Sequence, residues 1–251
     1  MQLLITLTGS REIVLPFEHN HLLQAVIYHQ IEQPALRSLL HDQGFAFGKR
    51  RFKLFAFSRL MGKFRVLGEK GEIAFTPPCR LVVCSPLLVV VEEMAKGFLR
   101  QGQVRLGKNR LTVGSVEVRD TEVTENRITV RMLSPLTVYS TLENAGKPFT
   151  YYYSPFEPRF AELVRENLAK KYQLVFGQSA DLAGFSITPV EVREQDLKVI
   201  RYKGTVIKGW MGKYRLTGKP ELLTVALDAG LGAKNSQGFG CCEVVGERQR
   251  C

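Results

Sequence analysis

The sequence predicts an α+β protein of two consecutive domains, each an antiparallel sheet with helices on one face. Short alternating apolar runs and longer runs of helical period follow in the order strand, helix, strand, strand, helix, strand. That order occurs twice, alike in pattern but not in residues, and a polar stretch from Thr121 to Asn126 separates halves of similar length. The 251 residues suit one large domain or two of about 120, each able to bury a core. We place the domains at 1–122 and 127–251.

Leu3 to Leu7 alternates as a strand, and Leu23, Val26, Ile27 and Ile31 then recur at helical spacing between His21 and Ile31. A short helix is expected from Pro34 through Leu36, Leu39 and Leu40 to His41, with Gly44 as its stop. Phe52 to Phe57 and Cys79 to Cys84 read as strands. Leu87, Leu88, Val91, Met94, Ala95, Phe98 and Leu99 share a helical face between Pro86 and Gln101, and strand-like Leu111 to Val118 follows.

In the second half, Arg127 to Met132 and Phe149 to Tyr153 read as strands. Pro158 to Tyr172 reads as an amphipathic helix with Phe160, Leu163, Val164, Leu168 and Tyr172 inward and an i,i+4 pair from Glu166 to Lys170 outside. Strands near Phe185 to Val192, Val199 to Val206 and Tyr214 to Leu216, a short helix from Lys219 to Asp228 and a last strand from Cys242 to Val245 complete the pattern. Two β-α-β-β-α-β units are two ferredoxin-like domains, a topology shared with RNA-recognition modules.

Lys and Arg outnumber Asp and Glu by 35 to 24, so a polyanion is a reasonable partner for the +11 chain. The five cysteines (Cys79, Cys84, Cys241, Cys242 and Cys251) form no Cys-x-x-Cys pair and read as reduced cytosolic thiols. The opening Met1-Gln-Leu-Leu-Ile-Thr-Leu-Thr lacks a basic leader and a cleavage site, and the longest apolar run, Pro86 to Val91, is too short to span a bilayer. A cytoplasmic protein without a membrane partner is expected.

The most specific stretch is Gly230-Leu-Gly-Ala-Lys-Asn-Ser-Gln-Gly-Phe-Gly240. Glycines let a backbone adopt positive φ and approach a ligand closely, free N–H groups in such turns bind anions, and Lys234 adds charge. A dinucleotide fingerprint lacks its third glycine here, and the Walker spacing fails. No Gly-x-Ser-x-Gly elbow or persuasive Cys and His pair points to other hydrolases.

A tandem of this kind ending in Gly-x-Gly-x-Lys-Asn-Ser-x-Gly-Phe-Gly resembles the RAMP superfamily along its whole length. Within it the chain most resembles the CRISPR repeat-RNA processing endoribonucleases, the Cas-six family. Leu22 to Ile31, Leu39-Leu40-His41 and Phe52-Lys53-Leu54-Phe55 resemble three family segments in the same order. The resemblance implies Tyr28, His41 and Lys53 as the catalytic group and a loop, with Gly230, Gly232, Lys234, Asn235, Ser236, Gly238 and Gly240, that binds RNA. It implies metal-independent cleavage of CRISPR repeat RNA by 2′-hydroxyl attack, leaving a 2′,3′-cyclic phosphate and a 5′-hydroxyl. The partners it admits are effector-complex subunits and a second copy of the chain.

That chemistry needs a base, an acid and positive charge on the phosphorane. Imidazole titrates near neutral pH, which suits His41 to the general acid, with His29 in reserve. Tyr28 would orient or deprotonate the 2′-hydroxyl, and Lys53 would stabilise charge and depress the tyrosine's pKa. At about 100° per residue Tyr28 lies roughly 120° from the apolar stripe, so it should face a groove or solvent. Lys49, Arg50 and Arg51, in a basic run interleaved with phenylalanines, are candidate phosphate contacts. Lys198 to Lys219, with Tyr202, Trp210 and Tyr214, is a second candidate surface, its aromatics more readily core than stacking platforms.

The bland readings are a rim tyrosine, a histidine beside a helix C-terminus, a solvated charge run and a structural glycine turn. His19, His21 and His29 lack partners at ligand spacing, so neither metal nor cofactor is expected. A rival of another class is a non-catalytic RAMP subunit that holds guide RNA in an effector complex, and a third reading is a general RNA-binding protein.

Overall fold

The computed structural model describes residues 1–144 and 146–246. The first half runs β1 (Gln2–Thr8), β2 (Ile13–Pro16), α1 (Asn20–His29), α2 (Pro34–Ser38), a π-helical turn (Leu39–Gln43), β3 (Phe45–Phe47), β4 (Arg50–Phe52), β5 (Ala56–Phe57), β6 (Met61–Leu67), β7 (Glu72–Cys84), α3 (Leu88–Gln101), β8 (Gln103–Leu106) and β9 (Asn109–Arg119). Strands β9, β1 and β7 lie side by side, all antiparallel, with β6 and β5 on the far edge of β7. With α1 between β1 and β6, and α3 between β7 and β9, this is the ferredoxin-like order.

The second half repeats it with β10 (Arg127–Met132), β11 (Tyr139–Asn144), β12 (Lys147–Tyr152), α4 (Pro158–Phe176), β13 (Ser186–Glu191), β14 (Leu197–Tyr202), β15 (Thr205–Trp210), β16 (Lys213–Thr217), α5 (Pro220–Ala229) and β17 (Cys242–Val244). Its sheet order is β13-β16-β10-β17, and β11–β12 and β14–β15 are separate hairpins. Both α4 and α5 begin with proline at the first turn and end at a glycine of positive φ, Gly177 or Gly230. Buried Phe160, Val164, Leu168 and Lys171 follow the helical repeat of α4.

Several elements differ from the sequence reading. Phe52 to Phe57 is two strands broken at Leu54, whose φ is 52°, because Phe52 pairs with Phe45 while Ala56 and Phe57 join β7. The second strand of the first ferredoxin-like unit is instead β6, an edge strand whose side chains are mostly exposed and so show no apolar alternation. Val199 to Val206 folds back on itself at Lys203-Gly204 as the β14–β15 hairpin. Glu166 meets Arg159 at 2.9 Å rather than pairing with Lys170.

Each half has its own apolar core, and a third cluster joins them: Leu4, Ala56, Val82 and Cys84 against Leu133 and Cys241. Gln2 Nε2 donates to the Cys242 carbonyl at 2.8 Å, and the Arg59 N–H donates to that of Leu133 at 3.1 Å. Cys79, Cys84, Cys241 and Cys242 are buried and free, and Cys251 lies outside the described residues. No helix among the described residues is long and apolar enough to cross a membrane.

Helices α1 and α3 touch at Gly97, where a Cβ would overlap the carbonyl of Gln30. Gly97→Ala forces the helices apart, and chemical denaturation should show a loss of about 1–3 kcal/mol.

Candidate active site

The π-helical turn ends at Gly44, whose φ of 66° turns the chain into the β3–β4 hairpin. This turn and its neighbours bring Tyr28, His41 and Lys53 together. The Tyr28 hydroxyl donates to the Leu40 carbonyl at 3.2 Å, and Lys53 Nζ donates to the His41 carbonyl at 2.7 Å. The Tyr28 ring meets that of His41 edge-on at 4.9 Å and that of Phe55 at 5.5 Å.

His41 itself is open to solvent, its side chain 61% exposed. Its Nδ1 lies 2.6 Å from Asp42 Oδ1, and Ser38 Oγ donates to Asp42 Oδ2 at 3.1 Å. Those bonds, from His41 and then Ser38, hold the Asp42 carboxyl below its usual range. With Nδ1 committed to a carboxylate, Nε2 is the nitrogen left for other chemistry. The sequence reading missed Asp42, although its place beside His41 was visible.

Tyr28 does not face a groove or solvent as the helical wheel suggests. It is only 8% exposed and belongs to the first core, because the turn at Leu40 and His41 and the ring of Phe55 cover the side of α1 that the wheel leaves open. Burial pushes its phenol well up, with the neighbouring Tyr202 and Asp42 adding to the effect. Lys53 therefore does not depress it. Partial burial pulls Lys53 itself down, opposed by Asp42 and aided by Arg51.

A cleft of about 530 Å³ opens between the halves. Arg50, Arg51 and Lys53 line it from β4 and the residue after it, and Lys234, Asn235 and Ser236 line it from the glycine loop. Lys234 is in a left-handed conformation, φ 58°, with Nζ 5.0 Å from the centre of the Tyr139 ring. Burial lowers its pKa. Lys49 sits at the hairpin tip, outside this lining, and His29 lines a different hollow with Arg105 and Arg110.

On the side where a Cβ would stand, the four loop glycines meet protein rather than open space, so packing by itself requires glycine there. A Cβ at Gly230 would lie 2.7 Å from that of Ala56, and one at Gly238 would lie 2.6 Å from Asn20 Nδ2. At Gly232 and Gly240 it would strike the carbonyls of Thr137 and Leu231. Asn235 is likewise occupied: its Nδ2 donates to the Leu231 and Phe239 carbonyls at 3.0 and 3.1 Å. From α1, Asn20 donates to the Gln237 carbonyl at 2.9 Å and Gln24 to that of Ser236 at 2.5 Å.

Lys171, which the sequence reading passed over, holds this loop. It is 2% exposed, and its Nζ donates to Gly230 O at 2.6 Å, Asn235 Oδ1 at 2.7 Å and Gly232 O at 2.9 Å. Burial pulls it down to about 7, against Cys84 and Cys242. Three acceptors need three N–H donors, which only the ammonium has. In the second candidate surface Tyr214 is core, Tyr202 is buried and bonded to Gln24, and Trp210 packs on Phe156. Among the described residues no three His, Cys, Asp or Glu side chains gather in metal-ligating geometry.

Two ferredoxin-like domains, with a cationic cleft between them and a glycine-rich loop locked into the joint, define a tandem ferredoxin-like protein of the α+β class. Residues 14–117 match the family described as CRISPR-associated protein Cas6, N-terminal, and residues 118–244 match CRISPR associated protein Cas6, C-terminal. The chain belongs to the Cas6 family. It is 29% identical to the CRISPR-associated endoribonuclease Cas6 of Pyrococcus furiosus, over 95% of this chain and 87% of that one. It is 26% identical to the CRISPR-associated endoribonuclease Cas6 1 of Methanocaldococcus jannaschii, over 96% and 91%. A solved structure of a Cas6-related gene product from Pyrococcus furiosus superposes with TM-score 0.84 over 99% of both chains at 21% identity.

Lys171→Met leaves three oxygens without their donor. The expected loss, about 3–5 kcal/mol of stability in thermal or chemical unfolding, is that of three buried acceptors left unsatisfied at about 1–3 kcal/mol each, offset in part because a buried charge is removed with the lysine.

Proposed function

We propose that this Cas6-family chain is a metal-independent endoribonuclease that cuts CRISPR precursor RNA within its repeats. The observation that carries the reading is the junction at Lys53, which lines the cationic cleft and is hydrogen-bonded to the backbone of His41. RNA lies in the cleft with phosphates on Arg50, Arg51 and Lys234. The 2′-hydroxyl attacks the adjacent phosphorus and loses its proton to solvent. His41 Nε2 protonates the leaving 5′-oxygen, and Lys53 stabilises the phosphorane, giving a 2′,3′-cyclic phosphate and a 5′-hydroxyl.

Tyr28 acts here as a positioning residue, since a buried neutral phenol is a poor proton acceptor and its ring supports the imidazole. Asp42 fixes the tautomer of His41. In this reading residues 1–122 form the domain that cuts, and 127–251 the domain that carries the loop. The reaction is cytoplasmic, and its product passes to effector-complex subunits.

Repeat RNA should be cut in EDTA, and a single 2′-deoxy substitution at the cut site should abolish cleavage while binding persists. Binding without cleavage of the all-ribose RNA would instead support the non-catalytic RNA-holding subunit. His41→Ala should slow cleavage by about 10²–10⁴-fold with little change in Kd, whereas Lys234→Ala should raise Kd before it slows chemistry. Tyr28→Phe should stay within about tenfold of wild type at every pH, and a loss as large as that of His41→Ala would return the base role to Tyr28.

A further inference from the structure

Two side-chain oxygens of cleft-lining residues lack partners among the described residues. Asn167 Oδ1 and Gln237 Oε1 are shielded from solvent and accept no hydrogen bond among the described residues, and Asn167 is only 7% exposed. Buried polar atoms in folded proteins are nearly always paired, so two unpaired acceptors on one cleft point to a missing donor. Asn167 lies one turn before Lys171 on α4, and Lys171 fixes the loop that carries Gln237. The same anchoring thus sets both amides on the cleft walls. Tyr139 also lines the cleft and offers an aromatic ring beside the Lys234 ammonium.

We propose that this cleft is a nucleobase pocket in which Asn167 and Gln237 accept hydrogen bonds from one amino-bearing base next to the scissile phosphate. Two acceptors require two N–H groups. The exocyclic amino group of adenine or cytosine carries two, guanine's Watson–Crick edge three, and uracil only its N3–H, so uracil is the base the pocket rejects. Tyr139 stacks on the base, and Lys234 moves to the adjoining phosphate, a pairing of ring and cation suited to single-stranded RNA. A volume of about 530 Å³ is within the roughly 300–1,000 Å³ of small-ligand sites.

The inference rests on the reading of the chain as a repeat-RNA nuclease, and its test separates the two. Each amino-bearing base flanking the cut is replaced in turn by its amino-less analogue: purine for adenine, 2-pyrimidinone for cytosine, hypoxanthine for guanine. At one position the replacement should lower wild-type kcat/KM about ten- to a hundredfold, and the same replacement should cost Asn167→Leu less than about threefold. Gln237→Met gives the same comparison should the first variant fold poorly. Because Asn167→Leu removes an unpaired buried amide, its melting temperature should not fall. A penalty of equal size in wild type and both variants, or none at any position, overturns the pocket. If the all-ribose RNA is bound but not cut, the nuclease reading falls, and the same comparison made on Kd still decides the pocket. If it is not bound at all, both fall.

Discussion

The ammonium of Lys171 is the constraint on which the joint between the two domains depends. It is buried in an apolar setting that pulls its pKa down to about 7, and the charged form is favoured because three loop oxygens converge on it. Those oxygens are in place only while the backbone from Gly230 to Asn235 keeps its tight turns. The turns in turn need glycines, because the loop is pressed against Ala56, Thr137 and its own strand. Lysine, glycines and Asn235 therefore form one mutually dependent unit, and Asn20 and Gln24 tie that unit to the opposite domain.

The electrostatics of the cleft follow from this packing. Lys53 and Lys234 reach it from opposite domains, and for both the largest effect is loss of solvation, which lowers their pKa. A cation deprived of water is stabilised more by an incoming phosphate than one on an open surface. The loop's glycines build one wall of the cleft, and Lys234, Asn235 and Ser236 between them line it.

Much of this was legible in the sequence. The helices announced themselves by period, and α2, α4 and α5 also by a leading proline, and the repeated strand order followed. What escaped was whatever depends on remote segments. Strand β6 has no buried face of its own, so its alternation carries no signal. The helical wheel placed Tyr28 correctly on α1 but had no knowledge of the turn and the phenylalanine that cover it. Lys171 looked like one more charge on an amphipathic helix beside Lys170, because nothing local reveals that three acceptors arrive from sixty residues away. The gathering of Tyr28, His41 and Lys53 came from resemblance, not from spacing, and so did the chemistry assigned to them.

The neighbourhood of His41 narrows what that chemistry can be. One imidazole nitrogen is committed to Asp42, whose own second oxygen is bonded to Ser38, so the carboxylate is held in place and the ring with it. Beneath the ring lies a phenol that burial keeps neutral, itself fixed by the Leu40 carbonyl. A lysine holds the histidine's backbone while lining the cleft. In the proposed reaction all proton traffic between protein and RNA therefore passes through a single atom, His41 Nε2, and the surrounding groups act by fixing where that atom points. In that proposed reaction the site loses rate when the ring is removed and loses precision when its supports are, and the tyrosine and histidine, though in contact, take different roles.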